Sequence, residues 1–168
     1  MILYPNYYCD KVTDISIELL EKNNIRGIIL DVDNTLIDYD RVLLDGVEEW
    51  INTVKSAGVK CIILSNSNKL DKVKKVAETL NIDYIYFAKK PLKGGFKRAK
   101  EKLNLENSEI AVVGDQIFTD IIGANRSKMF GILVNPIAKK DIWITRLKRP
   151  LEEMVVKSYV KKRKKKKE

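Results

Sequence analysis

The chain has 168 residues, 45% of them hydrophobic and 33% charged, which suits one globular domain with a sizeable core. It contains no histidine, which excludes Ser-His-Asp and Cys-His catalysis, histidine phosphatases and histidine-bound zinc. Neither Cys9 nor Cys61 is followed six positions on by arginine, and no G-x-x-x-x-G-K-[ST] occurs, so a cysteine-dependent phosphatase loop and a P-loop are excluded too.

Carboxylates, hydroxyls, lysines and a metal remain for catalysis. Residues 1–8 lack a basic stretch followed by an apolar one, so no secretion signal is expected. No apolar run approaches the ~18–20 residues of a membrane span. Two cysteines far apart in sequence fit a reduced, cytoplasmic setting.

Val12, Ile15 and Leu19 recur at helical spacing and predict a helix over 11–21, ended by Asn23 and Asn24. The apolar run 27–30 predicts a buried strand leading into Asp31. A polar, turn-like stretch covers 33–44. Val47, Trp50, Ile51 and Val54 mark a helix closed by Gly58, and 59–64 is a second buried strand. Leu70, Val73, Val76, Ala77 and Leu80 give a helix with a lysine-rich outer face. A short strand is predicted at 84–87. Pro91 and the Gly94-Gly95 pair then precede a helix containing Phe96, Ala99 and Leu103. Strands at 110–113 and 131–134 flank a helix over 119–125, and Pro136 stops the last of them. One more helix is expected around 142–156. The alternation predicts an α/β fold, a Rossmann-like parallel sheet with helices on both faces, within a single domain spanning 1–156.

In such sheets ligands bind beyond the carboxyl ends of the strands. Four predicted strands end in reactive residues. Asp31 and Asp33 stand two apart, so an extended chain turns both the same way. Carboxylates serve as nucleophiles to phosphoryl groups and as general acids and bases. Asp33 and Asn34 could equally build a turn. Ser65 ends the second strand, where its hydroxyl could donate to a phosphate or, with its neighbours, cap the next helix. Lys90, before Pro91, could neutralise a phosphate or lie on the surface. Asp115 and Asp120 follow Gly114, as an Mg2+ site needs and as a Gly-Asp turn with a helix cap also would.

Together and in order, strand-DxDxT, strand-S, K-P and strand-GDxxxxD resemble the four-motif signature of haloacid dehalogenase (HAD) phosphatases over nearly the whole chain. The resemblance implies a HAD-like fold and an Mg2+-dependent hydrolase that forms an aspartyl-phosphate on Asp31. Asp33 matches the acid/base, Ser65 the phosphoryl-binding hydroxyl and Lys90 the phosphate-neutralising lysine. Asp115 matches the metal ligand beside Asp31 and the Asp33 carbonyl, and Asp120 supports the metal. Asn34, Thr35 and Asn66 match substrate-binding positions. Residues 27–31, 87–91, 114–120 and 144–147 resemble the YqeG-type subfamily IIIA, which is similar to fungal mitochondrial phosphatidylglycerophosphate phosphatase. The implied substrate is phosphatidylglycerophosphate. Soluble sugar phosphates or nucleotides are the enzymatic alternative. An RNA- or partner-binding protein on a HAD scaffold is the alternative of another class.

Neither 35–65 nor 65–90 holds room for a cap domain, so the site should be open to a large or surface-bound substrate. Eight of the 32 basic residues fall within 157–168 against one acid, Glu168, so this tail carries +7 of the net +9. It is expected to be disordered. It could be drawn to anionic phospholipid at the inner membrane surface, at roughly 1 kcal/mol per basic residue. It could bind nucleic acid through phosphates, or simply keep the chain in solution.

Overall fold

The computed structural model describes residues 2–137 and 143–164. Six strands form one sheet in the order β1-β6-β5-β2-β3-β4, and every neighbouring pair is parallel. They are β1 Tyr7–Cys9, β2 Gly27–Leu30, β3 Lys60–Leu64, β4 Asp83–Ile85, β5 Ile110–Gly114 and β6 Phe130–Val134. The helices are α1 Ile17–Lys22, α2 Val47–Ser56, α3 Leu70–Leu80, α4 Lys93–Leu103, α5 Ile122–Arg126 and α6 Trp143–Lys164.

The central strands are apolar on both faces because helices cover both. Ile28, Leu30, Ile63, Ala111 and Val113 pack with Trp50, Ile51 and Val54 of α2 and Val73, Val76 and Leu80 of α3. Their alternates Ile29, Ile62, Leu64 and Val112 pack with Phe96, Ala99 and Leu103 of α4 and Ala124 of α5. The chain runs outward from β2 to β3 and β4, then crosses back to β5 and β6. The order reverses between β2 and β5, the place beyond whose carboxyl ends such sheets bind ligands. Between β2 and β3 lie only the 31–46 loop and α2, and between β3 and Lys90 only α3, β4 and a short loop, so no cap domain is inserted.

The expected helix over 11–21 is broken. Val12–Asp14 forms one tight turn, Ile15 is extended, and α1 starts after Ser16, whose Oγ accepts the Leu19 N–H at 3.1 Å. The serine offers the backbone a cap in place of a continued helix. Strand β1 pairs at the sheet edge with β6, where the sequence reading had no strand. Residues 157–164, expected in a disordered tail, instead continue α6. Their inner side packs on the body: Tyr159 is buried, meets the Tyr4 ring edge-on at 5.9 Å and donates to the Asn6 carbonyl at 3.3 Å. The rest of that tail, 165–168, and the side chains of the 144–147 motif lie outside the described residues. Among the described residues no helix is long and apolar enough to cross a membrane.

Candidate active site

Asp31 follows β2 directly, and its N–H still donates to the Val113 carbonyl at 2.9 Å, so its backbone is fixed by the sheet. After it the chain coils tightly. The N–H groups of Thr35, Leu36 and Ile37 all turn back to the Val32 carbonyl, and Asn34 takes a left-handed conformation at φ 61°. Asparagine tolerates that region better than most residues. The coil brings Asp33 to the rim, where it remains half exposed, while Thr35 is buried with its Oγ1 lacking a hydrogen-bond partner among the described residues.

Lys90 comes from the loop between β4 and α4. Its loop is pinned by Asn66, whose side-chain carbonyl accepts the Lys90 N–H at 2.6 Å and whose amide donates to the Lys90 carbonyl at 3.0 Å. Asn66, expected to bind substrate, thus also holds the Lys90 loop. Phe87 and Lys89 both adopt φ near 50–60°, a conformation that costs a non-glycine residue about 1–3 kcal/mol and needs such restraint. Ser65, at the end of β3, is fully buried, and its Oγ accepts the Ser67 N–H at 3.1 Å.

The fixed loop drives the Lys90 ammonium between two carboxylates. Nζ lies 2.7 Å from Asp31 Oδ1 and 2.6 Å from Asp120 Oδ1, and all three side chains are almost wholly buried. Asp120 Oδ2 accepts the Gln116 N–H at 3.2 Å. Gly114 is required for this closeness, since a Cβ there would overlap the Asp120 carboxylate. Asp31, Asp115 and Asp120 each offer an oxygen within 4.8 Å of the others. The three carboxylates are all buried and lie close together. A buried, all-oxygen donor set of this kind fits a hard divalent cation. The Asp33 carboxylate stands outside this cluster.

Burial pushes the Asp31 carboxyl up to about 7, against the pull of Lys90 and with the help of Asp120 and Asp33. Burial also disfavours the Lys90 ammonium, but Asp120 and Asp31 outweigh it and hold the group above its ordinary range.

The sequence profile of haloacid dehalogenase-like hydrolases matches residues 39–128. The chain is 38% identical over 153 residues to the probable phosphatase YqeG of Bacillus subtilis (strain 168), covering 90% of this chain and 88% of that one. The chain belongs to the haloacid dehalogenase-like hydrolase family. It is an enzyme of that family's phosphatase type. A chloroplastic and mitochondrial phosphatidylglycerophosphate phosphatase 1 of Arabidopsis thaliana is 27% identical over 155 residues, 86% of this chain but 44% of the plant protein. Among solved structures, a protein from Listeria monocytogenes serotype 4b shares the fold at TM-score 0.58 and 23% identity, over 70% of this chain and 85% of that one.

Two residues of this HAD site escaped the sequence reading. Lys72, on α3, places Nζ 2.6 and 2.8 Å from the two oxygens of Asp33. Glu152, on α6, is buried and accepts the N–H groups of Ile117 at 2.9 Å and Phe118 at 3.3 Å. Lys72 is one of several lysines on the outer side of α3, and nothing in the local sequence separates it from Lys74 or Lys75. Glu152 lies more than thirty residues from the loop it holds.

Proposed function

We propose that this HAD-family enzyme is a Mg2+-dependent phosphomonoesterase that works through an aspartyl-phosphate on Asp31, and that its favoured substrate is phosphatidylglycerophosphate. The observation that carries the chemistry is the buried Asp31–Lys90–Asp120 arrangement beside Asp115, with Asp33 at the rim.

Asp31 attacks phosphorus with its second oxygen, the P–O bond to the leaving group breaks, and an acyl phosphate forms. Asp33 gives its proton to the leaving oxygen. It then takes a proton from the water that attacks the acyl phosphate, and inorganic phosphate and free Asp31 result. Lys90 keeps the anionic substrate from being repelled by Asp31. Ser65, Asn34 and the Thr35 hydroxyl, which has no hydrogen-bond partner among the described residues, are assigned to the phosphoryl side. Asp31, Asp115 and the Asp33 carbonyl are assigned to the cation, with Asp120 holding Lys90 and the loop behind them. A bound Mg2+ supplies charge neutralisation for the transferring phosphoryl group.

The lipid assignment has separate support. The site has no cap, a plant relative is named for phosphatidylglycerophosphate, and the basic end of α6 suits an anionic surface at the inner face of a membrane. The test is phosphate release from phosphatidylglycerophosphate in mixed micelles with Mg2+, beside a panel of soluble sugar phosphates and nucleotides. Preference for the lipid is expected, with turnover abolished in Asp31→Asn. Activity confined to soluble esters would remove the lipid assignment. Silence across the whole panel would favour a binding role, through RNA or a protein partner.

A further inference from the structure

A cavity of about 200 Å³ opens between the 37–43 loop and α3, and Lys72, the partner of Asp33, is one of the residues lining it. Its floor is apolar, from Ile37, Leu43 and Val76. Its walls are basic, from Arg41, Lys72 and Lys75, with Asp71 the one acid lining it among the described residues. Arg41 is set there by a tight turn. Asp38 accepts the Arg41 N–H with its carbonyl at 3.1 Å and the Val42 N–H with its side chain at 2.8 Å, and Arg41 itself sits at φ 65°.

Two features separate this wall from ordinary surface charge. Neither Arg41 nor Lys75 has an ion-pair partner among the described residues. Lys72 has a side chain only 12% exposed, unlike the solvated Lys74–Glu78 pair at 3.7 Å on the same helix. Lys72 also reaches both places at once. It lines the cavity and holds Asp33, and an ammonium has three donors, of which Asp33 takes two.

We infer that the Arg41–Lys72–Lys75 cavity is a leaving-group subsite for a second anionic phosphate group on the substrate, a few bonds from the phosphomonoester that Asp31 attacks. The inference rests on the phosphomonoesterase reading of Asp31 and adds the residues that select the leaving group. Lys72 links the cavity to Asp33, the group assigned to the leaving oxygen. The apolar floor suits a glycerol backbone, and the basic wall suits the charge beyond it. A free bisphosphate presents similar chemistry, so the source of the second anion is for experiment to distinguish.

The experiment compares kcat/KM for two matched pairs. One is the deacylated phosphatidylglycerophosphate headgroup against glycerol 3-phosphate, and the other is fructose 1,6-bisphosphate against fructose 6-phosphate. In the intact protein the member with the second anion should be preferred in one pair, and that pair names the source. Lys72→Gln should cut that preference at least roughly tenfold, as loss of a charge-assisted contact does, with the change carried by KM. Equal preference in the intact protein, or a Lys72→Gln loss shared by both members of each pair, overturns the subsite and leaves Lys72 serving Asp33 alone. Failure of the Asp31 reading is seen separately, as phosphate release that survives Asp31→Asn. Headgroup binding to the Asp31→Asn protein, followed by amide NMR shifts, reads the subsite whatever turnover shows. Shifts at 37–43 and 71–79 that Lys72→Gln removes support it, and their absence overturns it.

Discussion

Glu152 Oε1 accepts the Ile117 N–H at 2.9 Å and so fastens α6 to the loop that carries Asp115 and Asp120. The turn 117–121 is wide, and its first N–H groups have no carbonyl behind them within the turn. A buried carboxylate from a distant helix satisfies two of them. Glu152→Ala leaves those donors buried and unpaired, which should cost about 1–3 kcal/mol. The denaturant midpoint should fall, and a Mg2+ titration should shift to higher concentration as the loop loosens. Glu152→Gln keeps an acceptor and should recover part of both. If Glu152→Ala left midpoint and titration alike unchanged, α6 would have no hold on the metal loop.

The raised Asp31 carboxyl has a pH consequence for the metal-free protein. Its folded value of about 7 lies above the ordinary carboxylate value, so the folded state binds the proton more tightly than the unfolded state. The stabilisation from that proton is complete below about pH 4 and is lost as pH rises through about 7. Asp31→Asn removes the titration. Without divalent cations its melting temperature should exceed that of the intact protein at pH 8, and the gap should shrink as pH falls toward 4. Added Mg2+ should raise the melting temperature of the intact protein more than that of the variant. A gap that is constant across this range would show that burial does not govern Asp31.

Gly114 tests how tightly the centre is built. A Cβ there would overlap the Asp120 carboxylate, which has no slack because Lys90 and the Gln116 N–H hold its two oxygens. Gly114→Ala should therefore displace Asp120, and Lys90 with it, while the strand β5 itself tolerates alanine. A displacement near 1 Å in a catalytic group costs about 10²-fold in rate, and that is the loss expected in kcat. A variant of near-normal rate would mean that Asp120 does not position Lys90 for the chemistry.

The parts of this fold that local pattern encodes were legible. The apolar runs ending at Leu30, Leu64 and Val113 are strands because both sheet faces are covered, and the reactive residues stand just beyond them. What pattern could not encode was set by tertiary contact. Strand β1 has three half-buried residues and exists because β6 pairs with it, through Tyr7 beside Ile132. The reach of α6 through 157–164 is supported by Tyr159 against Tyr4, which no charge count reveals. The clamp that Asn66 puts on the Lys90 backbone was not legible, because the two residues are distant in sequence. Lys72 was hidden by its own composition, a lysine among lysines until Asp33 is seen beside it.

The basic end of the chain separates the readings of its charge. Residues 161–168 hold seven basic groups and one acid, and Glu152 and Tyr159, which both seat α6, lie before them. Deleting 161–168 removes the Lys162 contact with the Tyr4 ring at 5.7 Å and the Arg163 contact with the Tyr159 ring at 5.6 Å but keeps the Tyr4–Tyr159 pair, so the melting temperature should fall by only a few degrees. Under the lipid reading, sedimentation with vesicles of anionic phospholipid should be strong at low salt, weaken as salt rises, and drop sharply in the truncated protein. Turnover of phosphatidylglycerophosphate in such vesicles should fall with it, while turnover of the deacylated headgroup in solution stays level. If RNA is retained instead and vesicles are not, with the same truncation abolishing it, the charge serves nucleic acid and the lipid surface is excluded. If truncation changes neither, the run only solvates the chain, and access to a lipid substrate depends on the open rim around Asp33 alone.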